Sequence, residues 1–402
     1  MKALLLTNEY PPYVYGGAGV HVEYLTRELA RLMPVEVRCF GDQDVSSERL
    51  RVKGYPVPRE LTATTPSQLR SPVEMLQRSV HWVADPVDAD VVHCHTWYAH
   101  AGGLLSRLLY GTPLVITTHS LEPLRPWKRE QLGRGYDFSS WVEKTALETA
   151  DAIIAVSAET REDILKYFTV DPGKVRVIPN GIDVEQYQYT SETDALEKAG
   201  IPKGLPYVLF VGRITRQKGI IHLVRAIKHL APGLGVVLLA GQPDTPEIGE
   251  EMRRGVDEIR TSREHVYWIP EMVSKRDAIQ FYSHAQVFCC PSIYEPFGII
   301  NLEAMACGAP VVASAVGGIK EVVVPEETGI LVSFEQQTDA PFEAVDPERF
   351  AQDLAAGINR IVADPALRKR FSMAGRRRAE VYYSWTSIAG RVLELYREVT
   401  GK

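Results

Sequence analysis

The sequence has few cysteines and lacks any long hydrophobic run. Its 402 residues include five cysteines, at positions 39, 94, 289, 290 and 307, all inside apolar stretches. An odd number without disulfide-like spacing indicates reduced thiols, as in cytosolic proteins. No stretch approaches the roughly 18 uninterrupted apolar residues that a membrane-spanning helix needs, and the apolar run within residues 1–9 is too short for a signal peptide. We therefore expect a cytoplasmic protein without a membrane partner.

An excess of charge is missing as well. The formal net charge is −6, which gives no reason to expect nucleic acid or an anionic membrane as a partner. The hydrophobic share of 45% and the charged share of 24% are those of an ordinary soluble globular protein. At roughly 100–200 residues per domain, a chain of 402 residues is expected to form two domains.

Motifs for common cofactors and metals are absent too. The first long helix is preceded by residues 16–19, Gly-Gly-Ala-Gly, and not by the G-x-G-x-x-G fingerprint, which disfavours a nicotinamide cofactor. No D-x-D segment stands where a divalent ion would hold a diphosphate. On a strand, His93 and His95 share one face while Cys94 points to the other, and further ligands at suitable spacing are lacking. We expect neither a metal nor a cofactor.

What the sequence does contain is a double series of alternating strands and helices. The first series of strands is predicted near residues 2–7, 35–40, 90–95, 113–118, 152–156 and 174–178, and the second near residues 207–211, 235–240, 265–269, 286–290, 310–313 and 329–332. Repeated β–α–β units predict an α/β protein with parallel sheets covered by helices on both faces. The polar segment that follows residues 179–183 separates the two series, so we place a domain boundary there.

One stretch carries a candidate site, from Glu295 to Gly308. This stretch is predicted to form a loop after a strand and then a helix that starts near Ile299. A residue before a proline avoids helical geometry, so Glu295 belongs to the loop, whereas Glu303 lies about one turn into the helix. A helix start attracts phosphate. Two carboxylates on either side of a phosphate site favour a nucleotide sugar as ligand; the alternative is two solvated surface glutamates.

Three further motifs fit the same ligand. Arg213 and Lys218 belong to the loop after the first strand of the second series, where they can supply cations for a diphosphate. The alternative is a basic loop that is merely solvated. Gly16 and Gly17 allow close backbone approach to an anion, or merely form a tight turn. His119 follows a strand and can bond a sugar hydroxyl, or serve as a structural histidine.

Four aromatic residues lie among charged residues in the segment 122–144. Trp127, Tyr136, Phe138 and Trp141 can stack on sugar rings, or anchor a long loop. The sequence does not decide between these two interpretations, sugar stacking and loop anchoring.

Together these motifs resemble those of the retaining glycosyltransferases of family 4, which have the GT-B fold. The matches lie at Glu295 and Glu303 (the E-x7-E motif), residues 212–219 (the phosphate-binding loop), residues 8–12 with Gly16 and Gly17 (the N-terminal loop) and residues 180–183 (the interdomain junction). Residues 119–128 and 139–141 are similar to those of actinobacterial-type glycogen synthases, which use ADP-glucose. Classical bacterial starch and glycogen synthases carry Lys-x-Gly-Gly in the N-terminal loop, and this chain lacks that lysine.

The resemblance implies two Rossmann-like domains that face each other across a cleft. Residues 1–184 would form the acceptor domain, residues 185–380 the donor domain, and residues 381–402 a helix that crosses back to the first domain. The residues with implied catalytic roles are Arg213, Lys218, Glu295 and His119, and those with implied donor-binding roles are Gly16, Gly17, Gly212, Phe297, Gly298, Ile299 and Glu303. In such enzymes Glu295 would hold the 3- and 4-hydroxyls of glucose, Glu303 the ribose, and His119 the sugar near its 6-hydroxyl.

The activity that the resemblance implies is transfer of α-glucose from ADP-glucose to the 4-hydroxyl of an α-1,4-glucan. The alternative acceptor is glucose-1-phosphate, used by maltose-1-phosphate synthases of the same subgroup, and UDP-glucose is an alternative donor. A nucleotide-sugar epimerase on the same fold is a more remote rival. A sugar-binding protein that has the transferase fold but has lost the activity is disfavoured, because the set of site residues is complete.

Overall fold

The computed structural model describes residues 1–57, 59–338 and 342–402. The strands are β1 Ala3–Thr7, β2 Val35–Phe40, β3 Asp44–Ser46, β4 Leu50–Tyr55, β5 Val91–His95, β6 Leu114–Thr118, β7 Ala152–Ala155, β8 Val175–Val177, β9 Tyr207–Ile214, β10 Gly235–Pro243, β11 Val266–Ile269, β12 Val287–Cys290, β13 Val311–Ser314 and β14 Gly329–Val332. The helices are α1 Gly17–Leu32, α2 Arg59–Ala63, α3 Arg70–Ala84, α4 Trp97–Tyr110, α5 Lys128–Leu132, α6 Gly135–Thr149, α7 Ala158–Tyr167, α8 Asp194–Lys198, α9 Ile220–Ala226, α10 Pro246–Arg260, α11 Lys275–His284, α12 Ile299–Ala306, α13 Ile319–Val322, α14 Pro347–Ala363, α15 Pro365–Tyr382 and α16 Trp385–Thr400. Within the described ranges, no helix combines the length and the apolar character that crossing a membrane requires.

The chain forms two compact units. Unit 1 consists of residues 1–181 and 385–402, and unit 2 of residues 182–384. The chain passes between the units twice, and within unit 2 the two crossing segments run side by side, since the Ile182 N–H donates to the Tyr383 carbonyl at 2.7 Å. The structure therefore divides the chain after residues 181 and 384, a few residues from the expected boundaries after residues 184 and 380.

Unit 1 is built on an eight-stranded sheet in the order β3-β4-β2-β1-β5-β6-β7-β8. The central strand β1 is buried along its whole length, and α1 packs its apolar side, with Val22, Leu25 and Leu29, into the core. The pair β3–β4 is antiparallel, whereas the other described pairings of this sheet are parallel. The sequence did not predict β3 and β4. In β3 every residue is exposed, so this strand carries no apolar alternation.

The C-terminal helix α16 belongs to unit 1. Its buried residues Trp385, Ile388, Val392 and Tyr396 recur at helical spacing and join the core cluster that contains α1 residues. The rings of Tyr24 and Trp385 stack with centroids 5.9 Å apart and an interplanar angle of 7°. The last helix thus completes the first unit.

Unit 2 has a six-stranded sheet in the order β11-β10-β9-β12-β13-β14, with parallel pairings. The strand order reverses between β9 and β12, as it does between β1 and β5 in unit 1. Both units are therefore Rossmann-like. In open α/β sheets, ligands bind at the carboxyl ends of the strands beside such a reversal point. The loops that follow β1, β5, β9 and β12 are accordingly where a site is expected.

Candidate active site

In unit 2 the loops after β9 and β12 lie against each other. The Ile293 N–H donates to the Gln217 carbonyl at 2.9 Å. Gly219 has φ +61°, and a Cβ at this position would lie 1.9 Å from the Pro291 carbonyl oxygen. Only glycine allows this approach. The two segments that the sequence singled out are therefore neighbours at the reversal point of the sheet.

Lys218 and Glu295, one from each loop, form an ion pair. Lys218 Nζ donates to Glu295 Oε2 at 2.6 Å, and the Ser292 hydroxyl donates to the same oxygen at 3.3 Å. Glu295 is only 6% exposed, so its carboxylate is held by these partners in a nearly closed surrounding. Sequence reasoning named both residues as site residues but did not pair them.

Arg213 lies in β9 next to Gly212 and is also held by a carboxylate. Arg213 Nη1 donates to Asp244 Oδ1 at 2.6 Å, and Asp244 directly follows β10, the neighbouring strand. The bond fixes the guanidinium at the carboxyl edge of the sheet. Asp244 was not predicted as a site residue, because the observed strand β10 extends to Pro243, beyond the strand predicted near residues 235–240.

The helix α12 begins where the sequence placed its start. Gly298 has φ +93°, and a Cβ there would lie 2.6 Å from the side-chain nitrogen of Asn301. Ile299 opens the helix, and the Asn301 N–H donates to the Gly298 carbonyl at 3.0 Å, so the N–H groups at the helix start that a ligand can use are those before Asn301. Phe297, in contrast, is 2% exposed and its ring lies 5.8 Å from that of Tyr383, so only its backbone is left for a ligand.

Glu303 lies on α12 and accepts a hydrogen bond from a buried tyrosine. The Tyr282 hydroxyl donates to Glu303 Oε2 at 2.9 Å. Burial raises the pKa of the Glu303 carboxyl above its ordinary value, and the hydrogen bonds from Tyr282 and Tyr187 oppose that shift. Tyr282 lies inside α11, where nothing in the sequence pattern marks it as a partner.

In unit 1 the glycine loop already holds a carboxylate. Glu9 Oε2 accepts hydrogen bonds from the backbone N–H groups of Tyr15 and Gly16, each at 2.7 Å. Gly16 is the N-cap of α1, which starts at Gly17. An anion that uses the Gly16 amide has to displace Glu9. Sequence reasoning did not anticipate this internal carboxylate.

His119 follows β6 and lies in a group of histidines. Its Nε2 is 3.0 Å from His95 Nδ1, and its ring centroid is 4.7 Å from that of His21. His93 and His95 share one strand face, as predicted, with centroids 4.2 Å apart, while Cys94 contacts the opposite side. Burial lowers the pKa of His119 well below its ordinary value.

The segment 122–144 contains both buried and exposed aromatic residues. Trp127 and Tyr136 are each 8% exposed and anchor the segment in unit 1. Trp141, in contrast, is 61% exposed on α6. Its ring centroid lies 6.1 Å from that of Phe138.

Comparison with known proteins identifies the family. The profile described as Glycosyltransferase Family 4 matches residues 15–186, and the profile described as Glycosyl transferases group 1 matches residues 191–378. The alpha-maltose-1-phosphate synthase of Mycolicibacterium smegmatis is 45% identical over 405 residues, which cover 100% of both chains. The chain belongs to the family 4 glycosyltransferases.

Two further comparisons place this family 4 glycosyltransferase among its relatives. The glycogen synthase of Mycobacterium tuberculosis is 27% identical over 98% of this chain and 94% of its own. The structure of sucrose-phosphate synthase from Thermosynechococcus elongatus superposes with a TM-score of 0.77 at 28% identity, covering 100% of each chain. The expected GT-B architecture of two Rossmann-like domains is confirmed, and the enzyme is a hexosyltransferase.

Proposed function

We propose that the enzyme transfers an α-glucosyl unit from ADP-glucose to the 4-hydroxyl of glucose-1-phosphate, which yields α-maltose-1-phosphate and ADP. The observation that carries this choice of acceptor is full-length identity of 45% to an alpha-maltose-1-phosphate synthase, against 27% to a glycogen synthase. The glucan acceptor that the sequence favoured is therefore the less well supported of the two alternatives.

The donor diphosphate is assigned to the reversal point of unit 2. Lys218 is a point charge held by Glu295 at 2.6 Å, and Arg213 is a planar guanidinium held by Asp244 at 2.6 Å. The start of α12 at Ile299 adds the positive end of a helix dipole. In this proposal these groups neutralise charge as ADP leaves, so that no metal ion is needed.

The two glutamates act as positioning residues in this proposal. Glu295, oriented by Lys218, holds the 3- and 4-hydroxyls of the donor glucose, and Glu303, oriented by Tyr282, holds the ribose hydroxyls. Carboxylate oxygens accept hydrogen bonds and match these donors. A contact between His119 and the donor glucose near its 6-hydroxyl completes the proposal.

The reaction exchanges one bond at C1 for another and moves one proton. The 4-oxygen of the acceptor bonds to C1 of the donor glucose, the bond from C1 to the diphosphate breaks, and the leaving phosphate takes the acceptor proton. We propose front-face attack, so that the α configuration is retained. Water must be kept out of the site, because it would otherwise replace the acceptor and hydrolyse the donor.

A product assay tests the acceptor. The enzyme is incubated with ADP-glucose and either glucose-1-phosphate or glycogen, and ADP release is followed together with the products by nuclear magnetic resonance. The expected result is rapid ADP release only with glucose-1-phosphate, and a disaccharide phosphate with an α-1,4 linkage. Elongation of glycogen without use of glucose-1-phosphate would contradict the proposal. So would conversion of the donor without any acceptor, as an epimerase would give.

The nucleotide is tested in the same assay. With glucose-1-phosphate present, ADP-glucose and UDP-glucose are offered in competition, and the two nucleotides released are separated. ADP is expected to be released in excess. A preference for UDP-glucose would keep the transferase but overturn the donor assignment.

A further inference from the structure

Three histidines of unit 1 bring ring nitrogens together at the carboxyl end of its sheet. His21 lies in the first turns of α1, His95 is the last residue of β5, and His119 directly follows β6. One nitrogen of each ring lies within 4.8 Å of the other two. The ring centroids are 4.7 Å apart for His21 and His119, and 5.3 Å apart for His95 and His119. Three separate segments of the chain therefore converge on one point.

The hydrogen bonds of these rings leave one nitrogen lone pair of His21 unused, whereas His95 Nδ1 and His119 Nε2, 3.0 Å apart, share one hydrogen bond. His21 Nδ1 is 2.5 Å from Asn180 Oδ1, and an amide oxygen only accepts, so Nδ1 carries the proton of the ring. His21 Nε2 is then a bare lone pair, and within the described part of the chain it has no hydrogen-bond partner. His95 Nε2 is likewise buried without a partner there. Buried polar atoms are rarely left in this state.

Metal ions bind an imidazole through a nitrogen lone pair, so the point where the rings meet must be accessible. His21 and His95 are buried, at 2% and 0% exposure. His119 is only partly buried, so the point where the rings meet can be reached from its side.

We propose that His21, His95 and His119 bind one Zn²⁺ ion, or a divalent transition metal of similar ligand preference, and leave a fourth coordination position open. Three imidazoles with one open position form a common zinc site. Zn–N bonds of about 2.0–2.1 Å require the rings to move inward by about 1 Å at most, which side-chain rotation provides. His21 binds through Nε2, and each ring keeps its proton on the nitrogen that faces away from the metal.

Asn180 supports the site, and His93 does not belong to it. A metal-bound histidine almost always donates its other N–H to an oxygen, which fixes the ring, and Asn180 accepts that bond from His21. His93 has both nitrogens engaged, at 2.6 Å from the Tyr396 hydroxyl and 2.7 Å from the Thr117 hydroxyl. It is therefore a structural residue.

Bound metal should inhibit the transferase. This consequence rests on the proposed function, in which His119 contacts the donor glucose. A metal ion on His119 occupies the ring nitrogen that would otherwise bond the sugar hydroxyl, so Zn²⁺ competes with ADP-glucose. Catalysis itself is expected to persist in EDTA, and EDTA should lift the inhibition by Zn²⁺.

Metal binding is measured directly on the full chain. Protein dialysed against EDTA is titrated with Zn²⁺ in a calorimeter and in competition with a chromophoric chelator, and the visible spectrum of added Co²⁺ reports four-coordinate geometry. One ion per chain is expected. His21→Gln and His119→Gln should each lose this site, and Asn180→Ala should weaken it about 10–100-fold. His81→Asn, at an exposed histidine of α3, is the matched control and should bind as the unmodified protein does.

The outcomes separate the two proposals. Circular dichroism shows whether each variant is folded, and His95→Asn replaces any that is not. No bound ion, or equal binding by the folded histidine variants, would overturn the metal site whatever the activity. Histidine-dependent binding of Zn²⁺ that leaves ADP-glucose turnover unchanged would keep the site and refute the link between His119 and the donor. Binding without any transferase activity would count against the proposed function alone.

Discussion

The two units place chemically different groups at equivalent positions of their sheets. At the reversal point of unit 2, oppositely charged side chains are paired, with Lys218 bonded to Glu295 and Arg213 to Asp244. At the carboxyl end of the sheet in unit 1, the groups are imidazoles. Burial lowers their pKa values, so they are uncharged at neutral pH.

The difference indicates that the two units suit different chemical groups of the ligands. A diphosphate brings negative charge and needs cations that are already held in place, which the ion pairs of unit 2 provide. The interior of unit 1 combines the paired charges of Arg38 and Glu36, 2.7 Å apart, with a carboxyl that is shifted toward its neutral form. Glu143, buried against Glu122, has its pKa raised well above the ordinary value by burial and by that neighbouring carboxylate. Neutral groups suit hydroxyls or a metal ion, but not a phosphate leaving group.

The largest expected effect tests the charged side of this comparison. Lys218→Ala removes a cation that the proposal places on the leaving diphosphate, so kcat should fall about 10²–10³-fold, as for loss of one well-placed stabilising donor. Steady-state kinetics measure it. Lys228→Ala is the matched control, because Lys228 pairs with Glu348 on the exposed surface of the same unit at 3.0 Å. Equal turnover of Lys218→Ala and the unmodified enzyme would remove Lys218 from the site.

The second prediction concerns the nucleotide side of unit 2. Glu303→Gln keeps the size of the side chain but weakens a hydrogen bond to ribose, so ADP affinity should fall about 10-fold. Tyr282→Phe removes only the group that orients Glu303, and should have a smaller effect of the same sign. Calorimetric titration with ADP measures both. Unaltered affinity in Glu303→Gln would contradict the ribose role.

Much of the fold could be predicted because apolar runs and breaker residues are local signals. The helix predicted from Ile299 to Ala306 has those bounds in the structure, since Pro296 and Gly298 end the loop before it. The strand predicted over residues 286–290 is observed at Val287–Cys290. The exposed strand β3 had no such signal and was missed.

The site could be predicted only in part. Strand–loop positions show which residues reach the same edge of a sheet, and that placed Lys218 and Glu295 together. They do not show which side chains meet. Arg213 binds Asp244 from the next loop, and Glu303 binds Tyr282 from inside a helix. Such partners depend on packing and rotamers, which no periodicity in the sequence records.

The third prediction separates structural from functional histidines in unit 1. Tyr396→Phe leaves His93 Nδ1 without its partner in a buried position, which should cost about 1–3 kcal/mol of stability. A shift in Tm of roughly 2–4 °C per kcal/mol is expected in calorimetry. The KM for ADP-glucose and the binding of Zn²⁺ should not change. Tyr13→Phe, at a tyrosine that is 53% exposed, is the control and should leave Tm nearly unaltered. A changed Zn²⁺ affinity in Tyr396→Phe would place His93 in the site.

The smallest expected effect tests whether Glu143 of unit 1 is kept uncharged. Glu143 has a raised pKa, so between the ordinary pKa of a glutamate and the raised value the folded protein binds more protons than the unfolded chain. Stability from this group is therefore present at acid pH and lost as pH rises, by at most about 1.4 kcal/mol per pH unit for one proton. Glu143→Gln keeps an acceptor for the Glu122 N–H, bonded at 2.7 Å, and should flatten this decline in denaturant titrations across pH.

A control of opposite sign lies on the same helix, α6. Glu148 has its pKa lowered by the hydrogen bond from Lys144, so its contribution is present at neutral pH and is lost as pH falls. Glu148→Gln should therefore change only the acid end of the profile, and weakly, because the pair is on the surface. If Glu143→Gln left the slope above the ordinary glutamate pKa unchanged, Glu143 would be charged when buried. The contrast between the uncharged groups of unit 1 and the paired, charged site of unit 2 would then not extend to Glu143.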